Sequence, residues 1–436
     1  MTPMPLVLAV TCDLAGKVRG KAFPADQLER RLKRGVGWVP TNVMITCFDG
    51  IGDGPFGSLG DLLLIPDPTA EVVVDFGCGT AERHMLGDIV TLEGAPWEFC
   101  TRALLRSALD RLQRVAGVRL IAAFEHEFQL KGAPAVEHQG FGREAFEVQR
   151  PFLSTLMGAL KQAGLTPDSV MKEYGPNQFE VVVGPKEGMR AADEAVMLRE
   201  LTRSAARAHG EAATFVPIRD VASVGNGVHV HMSFVDEVGT PMTHDENTPH
   251  GMSALTSAFA AGVLKYMENI VALTAPSVIS YERLTPHRWS AAYNNLGFRD
   301  REASLRICPV TSRDPATIAR QFNIEYRAAD AAACPHLALA AVVHAGVQGI
   351  EERLAAPEPT QEDLSLLSHE ALAARGFVRL PTSLDEALDR FEGSATATGW
   401  FPPDFAAVYR AHKAAEIAHL DGMDVARKCA AYEATY

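Results

Sequence analysis

Positive charge is scarce in this 436-residue chain. Lys and Arg total 41 against 54 Asp and Glu, a formal net charge of −13. Gripping nucleic-acid phosphates or anionic lipid needs a basic face, so neither is expected as the main activity. A cation-binding site remains open. The seven Cys (12, 47, 78, 100, 308, 334 and 429) form no CxxC pair and are odd in number. That excludes a disulfide framework and a zinc knuckle, and a reducing cytoplasm is the expected compartment. Long apolar runs are also missing. The best, residues 253–273, is interrupted by Lys265 and Glu268, so no membrane span is expected. The N-terminus has no basic segment of a signal peptide and meets Asp13 early. No Walker GxxxxGK[ST], Rossmann GxGxxG or kinase HRD or DFG occurs, so any nucleotide must sit in some other fold.

What is present is an ordinary globular balance, 22% charged and 47% hydrophobic residues. At roughly 150 residues per domain, two or three domains are expected. Residues 5–23 read as strand, turn and strand. Residues 42–80 are rich in Gly and Asp and predict a β region with a long Gly-containing loop at 49–60. From about residue 100 the pattern changes. Helices are predicted over residues 101–117, 151–164, 188–209 and 251–273, alternating with strands at 118–130, 178–184 and 227–234. A loop over 276–300, strands near 303–308 and 322–327, and Ala-rich helices follow. There is neither an internal repeat nor a low-complexity linker. The expected class is α+β, with a small β domain over 1–100 and a larger domain over 101–436.

Several apolar strands carry polar residues on one face, because alternate side chains share a face. In the run 124–128, Glu125 and Glu127 lie opposite Phe124, His126 and Phe128. With no Lys or Arg between them, a divalent metal is the natural partner, although a solvated acidic edge fits as well. In the run 228–234, His229, His231 and Ser233 lie opposite Val228, Val230, Met232 and Phe234. Two imidazoles in register suit a metal or a phosphate. Glu180 opens another apolar strand, and a Gly175-Pro176-Asn177 turn can fold Glu173 back towards it. Glu325 and Arg327 share a face near the end of the run 323–327. Arg283, Arg288, Arg299, Arg301 and Arg306 follow one another closely. Arg binds phosphate and carboxylate bidentately, so this cluster implies a bound anion, or else a set of surface ion pairs. Five Glu, two His and several Arg together imply metal–polyphosphate and an anionic substrate. The chemistry would be phosphoryl transfer or activation of a carboxylate by ATP.

On these residues the chain resembles the glutamine synthetase family nearly from end to end. The ordered elements are Asp13 with Gly20-Lys21, Phe48-Asp49-Gly50, Pro66-Asp67, Glu125-His126-Glu127-Phe128, and Glu173 with Gln178-Phe179-Glu180. Then come Gly225-Asn226-Gly227-Val228-His229-Val230-His231, the run 280–286 (SYERLTP), Arg301 with Arg306-Ile307, and Glu325-Tyr326-Arg327 with Asp330. The resemblance implies an N-terminal β-grasp domain and a larger catalytic α/β domain with a curved antiparallel sheet. It also implies a homo-oligomer of stacked, dodecamer-like rings with active sites shared between neighbours. By the family pattern, Glu127, Glu173 and Glu180 would hold one Mg2+ or Mn2+, and Glu125, His229 and Glu325 a second. Arg283, Arg327 and Gly225 would hold glutamate. His231, Arg301 and Arg306 would face the ATP phosphates, and Asp49 and Arg301 stand at catalytic positions.

Departures from the pattern are informative. In the ammonia-using members a flap Glu closes the ammonium site; here that position is Trp289. An indole can cover an apolar or cationic amine but cannot accept a proton. The expected acceptor is therefore an organic amine, as in the γ-glutamyl-amide and polyamine branches. A displaced flap, with Asp49 or Asp53 of a neighbouring subunit acting instead, is the alternative, and with it ammonia as acceptor. Arg313 or Arg320 is the expected nucleotide-contacting residue. The regulatory tyrosine of some members has no counterpart in residues 362–366, so adenylylation there is not expected. A metallohydrolase would not need the arginines, and a sensor or scaffold would not need all six ligand positions filled.

Overall fold

The computed structural model describes residues 4–77, 80–134 and 140–436. The first sheet uses β1 (Leu6–Cys12), β2 (Val18–Pro24), β3 (Val36–Trp38), β4 (Leu62–Val74) and β5 (Glu82–Val90), in the order β2-β1-β5-β4-β3. β1 and β5 run parallel and the other pairs antiparallel. The short helix α1 (Leu28–Arg34) lies between β2 and β3 in the chain. The Gly-rich stretch between β3 and β4 stays a loop, as its composition predicts.

The second sheet is built from β6 (Arg119–Lys131), β7 (Pro167–Lys172), β8 (Gln178–Val183), β9 (Lys186–Glu187), β10 (Ala212–Thr214), β11 (Val228–Val235), β12 (Leu296–Phe298), β13 (Leu305–Ile307) and β14 (Ile324–Ala329). Its path is β12-β13-β14-β11-β6-β8-β7, with β9 and β10 also paired to β6. The expected antiparallel sheet needs one correction: β12 and β13 run parallel. The short loop of residues 299–304 turns the chain back to the same end instead of closing a hairpin.

The helices flanking these strands are α2 (Thr101–Ala116), α3 (Arg143–Gln162), α4 (Gly188–Ala208), α5 (Ala254–Thr274), α6 (Ser280–Arg283), α7 (Pro315–Gln321) and α8 (Pro335–Glu351). Two expectations change. α3 begins well before residue 151, with Pro151 inside it and its ring on the exposed side. The 276–300 stretch holds α6 and β12 rather than loop alone. α5 is capped by Ser253, whose hydroxyl accepts the Thr256 N–H. α5 and α8 cross closely: a Cβ on Gly262 would lie 2.3 Å from the Ala345 carbonyl oxygen.

The helices cover the apolar face of the large sheet. Phe128 packs on Phe152 of α3, and Phe234 on Phe259 of α5. The opposite face, bearing the alternate polar side chains, is left to line a cavity. Buried Arg102 of α2 ties the first sheet to α4. It reaches Asp67 of β4, Asp88 of β5 and Asp193 of α4 at 2.9, 3.1 and 3.0 Å. No helix among the described residues is long and apolar enough to cross a membrane.

Candidate active site

Five adjacent strands, β8-β6-β11-β14-β13, set the polar residues side by side. Glu180 lies opposite Glu127, Glu125 opposite His229, and His231 opposite Glu325. Arg306 completes the row opposite Glu325. The period of two in each strand and the register between strands together make one continuous polar face. The cavity over it, about 530 Å3, is lined by Glu125, Glu127, Glu173, Glu180 and His229, with Arg301, Arg306 and Arg327 on its rim.

One end of the row is rich in opposite charge. His229 Nδ1 lies 3.3 Å from Glu125 Oε2 and 3.6 Å from Glu325 Oε1. Arg306 Nε donates to Glu325 Oε2 at 2.7 Å, and Arg327 Nη1 donates to the other oxygen. Burial acts to raise both carboxyls. For Glu125 the hydrogen bonds and charges of His229 and His231 outweigh it, and its pKa is held well below the usual range. For Glu325 Arg327, the two histidines and Arg306 do the same. At the other end acids face acids. Burial, then the charges of Glu125, Glu127, Glu173 and Glu325, push Glu180 up to about 9. Burial and Glu127 push Glu173 up to about 7, against Lys172 and Arg301.

These residues fit divalent cations. Ligand atoms of Glu125, His229 and Glu325 lie within 4.8 Å of one another, and so do those of Glu127, Glu180 and His229. Glu173 lines the same cavity beside the second group, just before the turn that returns the chain to β8. Carboxylate and imidazole donors suit Mg2+ or Mn2+, and the burial and mutual repulsion that raise Glu173 and Glu180 are what a cation would offset. The backbone also shapes this end. Glu127 Oε2 accepts the Gly227 N–H at 2.7 Å. Gln178 Nε2 donates to the Gly225 carbonyl at 2.8 Å and to Asn226 Oδ1 at 2.9 Å.

A small side pocket opens off the cavity beside Gly225 and Arg283. A Cβ on Gly225 would lie 2.5 Å from the Pro217 carbonyl oxygen and 2.6 Å from Arg283 Cγ, so only glycine fits. Arg283 donates to the Ala329 carbonyl at 2.7 Å, yet its Nε has no partner, and neither has Arg327 Nε.

The flap position lies at the mouth. Trp289 is 52% exposed and lines the main cavity, the side pocket and a neighbouring cavity of about 830 Å3. Its φ is +52°, an uncommon conformation for a bulky residue. Glu302 holds it there by accepting the Trp289 and His287 N–H groups at 2.7 and 3.1 Å. Arg327 Nη2 donates to the Trp289 carbonyl at 3.1 Å. The indole meets the Tyr174 ring edge-on at 4.6 Å, and Tyr174 meets Phe141 at 5.8 Å. Tyr174, Phe141 and Glu302 escape sequence reasoning. The aromatics come together from distant segments, so no local pattern marks them.

Other expected residues lie apart. Asp49 is in the N-terminal loop, its side chain 79% exposed and 3.0 Å from Arg19, and it does not line the cavity of its own chain. Arg313 and Arg320 are exposed and do not line it either. Residues 362–365 instead line the larger neighbouring cavity.

Comparison with known proteins identifies the family. The model of the glutamine synthetase catalytic domain matches residues 98–428, and that of the glutamine synthetase N-terminal domain matches residues 1–97. The chain therefore belongs to the glutamine synthetase family, a family of ligases that use ATP and divalent metals. It is 33% identical to a gamma-glutamylpolyamine synthetase of Streptomyces coelicolor, over 99% of this chain and 93% of that one. A glutamate–isopropylamine ligase of Pseudomonas is 29% identical, over 82% of this chain and 78% of the relative. A solved structure described as a novel glutamine synthase homolog superposes with a TM-score of 0.92 at 40% identity, covering 100% of this chain and 99% of that one.

Proposed function

We propose that this protein is an ATP-dependent ligase that joins the γ-carboxylate of glutamate to an organic amine through a γ-glutamyl phosphate. The observation that carries this reading is Trp289 at the mouth of the site, where the ammonia-using members place an acid. Glu302 is held on the flap backbone, where its two oxygens accept the His287 and Trp289 N–H groups. Trp289, Tyr174 and Phe141 form an aromatic rim over an acidic cavity, which suits a cationic, partly apolar amine. Beyond Trp289 the larger cavity adds Tyr293, Phe298, Asp300 and Glu362, giving room for the tail of such an acceptor. The names of the relatives at 33% and 29% identity support the same class.

In this reading Gly225 and Arg283 of the side pocket and Arg327 of the main cavity hold glutamate between them, and the Nε of each arginine lacks a partner within the chain. Mg2+ or Mn2+ held by Glu127, Glu173 and Glu180, and by Glu125, His229 and Glu325, would offset the charge of the phosphates. A γ-carboxylate oxygen attacks the γ-phosphorus and ADP leaves, with His231, Arg301 and Arg306 facing the transferred group. The amine nitrogen then attacks the acyl carbon, phosphate leaves, and the surplus amine proton passes to a carboxylate. Asp49 supplies that carboxylate from a neighbouring subunit in a ring, which accounts for its distance from the cavity of its own chain. Residues 1–100 and 101–436 act as the two domains of this shared site.

The test is phosphate release and product mass with glutamate, ATP and Mg2+ across a panel of alkylamines, diamines and polyamines, with ammonia as reference. The expected result is a kcat/KM for at least one organic amine well above that for ammonia, and loss of turnover in Glu127→Ala. Best activity with ammonia would overturn the reading. A sensor or scaffold reading has no support from a site in which all six ligand positions are filled.

A further inference from the structure

Cys308 follows β13 and reaches the nucleotide end of the site, where no role has been given to it. Its thiol donates to Glu325 Oε2 at 3.3 Å, and Sγ lies 3.6 Å from His231 Nδ1. Ligand atoms of His231, Cys308 and Glu325 all lie within 4.8 Å of one another. A tetrahedral zinc ion with bonds of about 2.3 Å to sulfur and 2.0–2.1 Å to nitrogen and oxygen sets its ligands roughly 3.5 Å apart. The two sulfur distances are close to that edge. The other free cysteines among the described residues, Cys12, Cys47, Cys100, Cys334 and Cys429, are buried but belong to no such group. His231 Nε2 lies 3.1 Å from Glu125 Oε1, which leaves Nδ1 towards the sulfur, and Asn323 Oδ1, 2.8 Å from Nδ1, is a neutral oxygen on the same side.

We propose that His231, Cys308 and Glu325 form a site for a thiophilic divalent cation of the zinc class. It differs from the all-oxygen-and-imidazole group of Glu125, His229 and Glu325 in offering sulfur, which favours soft and borderline ions over Mg2+. Binding replaces the Cys308 S–H bond with a sulfur–metal bond, and the proton leaves to solvent. Because Glu325 belongs to both groups, a thiophilic ion there competes with the hard ion for one carboxylate. Arg306, which holds the same oxygen, has to release it.

Cobalt(II) reports this directly, since a thiolate ligand gives a sulfur-to-cobalt charge-transfer band in the near ultraviolet. Titration of the full chain with Co2+ is expected to raise that band to saturation at one equivalent. Cys308→Ser and His231→Gln, each checked for folding by circular dichroism, are expected to lose it. Excess Mg2+ is expected to raise the Co2+ needed for half the band at least threefold. Stoichiometric Co2+ binding without the band overturns the proposal, as does a band that survives either folded variant. Should Cys308→Ser fail to fold, the His231→Gln spectrum decides. A band that Mg2+ does not move overturns the shared use of Glu325. None of these readings depends on which amine the enzyme uses.

Discussion

Trp289 is the residue on which the proposed amine specificity turns, and its conformation shows how it is held. A left-handed backbone costs a non-glycine residue about 1–2 kcal/mol. Glu302 and Arg327 offset that by bonding the flap backbone on both sides. Trp289→Gly should therefore fold at least as well, since glycine takes the same φ freely. It should lose the aromatic cover, worth about 0.5–2 kcal/mol to a cation, or roughly two- to thirtyfold in kcat/KM for the preferred amine. Steady-state kinetics across the amine panel, with a thermal melt of the same variant, check both halves. Unchanged amine selectivity would remove Trp289 from the acceptor site.

Strands, not single residues, create the site's electrostatics. The β6–β8 register places Glu127 opposite Glu180, and the turn after β7 adds Glu173. Glu173 at about 7 and Glu180 at about 9 lie above the ordinary value of 4.5. A carboxyl with a raised folded-state pKa favours the folded chain below its unfolded pKa. That contribution is lost as pH rises through 7 and then 9, because the folded state is forced to ionise crowded acids. A divalent cation reverses the repulsion and must displace those protons. Mg2+ or Mn2+ should therefore bind more tightly as pH rises from about 6 to 9, releasing protons near neutrality and fewer at the upper end. Calorimetry in buffers of differing ionisation enthalpy measures this. Binding without proton release at pH 7 would show that these carboxyls are already ionised.

Across the whole molecule, the buried Arg102 network joins the first sheet to the helices of the larger domain. Asp193 accepts from Arg102 at 3.0 Å and pairs with His336 at 2.8 Å, so it holds α2, α4 and α8 in one arrangement. Removing one partner of a buried pair strands the other charge, at about 3–5 kcal/mol. Asp193→Ala should lower the unfolding free energy by that amount, read from urea denaturation with an unchanged m-value. A loss below about 1 kcal/mol would mean the network relaxes or is hydrated. The Asp49 loop is exposed on its own chain, with Arg19 as its ionic partner; the ring proposed above is what would carry it to a neighbour's cavity mouth.

Much of this was legible in the sequence for a physical reason. A strand repeats every two residues, so Glu125 with Glu127, His229 with His231, and Glu325 with Arg327 could be placed on shared faces by counting alone. The order of motifs then pointed to the family, and Trp289 stood out because one position in that order changed its chemistry. Pairing between strands is not local. That Glu180 stands opposite Glu127, and that Cys308 reaches His231, follows from register across segments dozens of residues apart. The rim of Phe141, Tyr174 and Trp289 likewise comes from three loops that meet only in the folded chain. The sequence by itself determined which side chains face the site and what they can bind. The tertiary structure alone decided which of them touch, and so which carboxyls are lowered, which are raised and what covers the mouth.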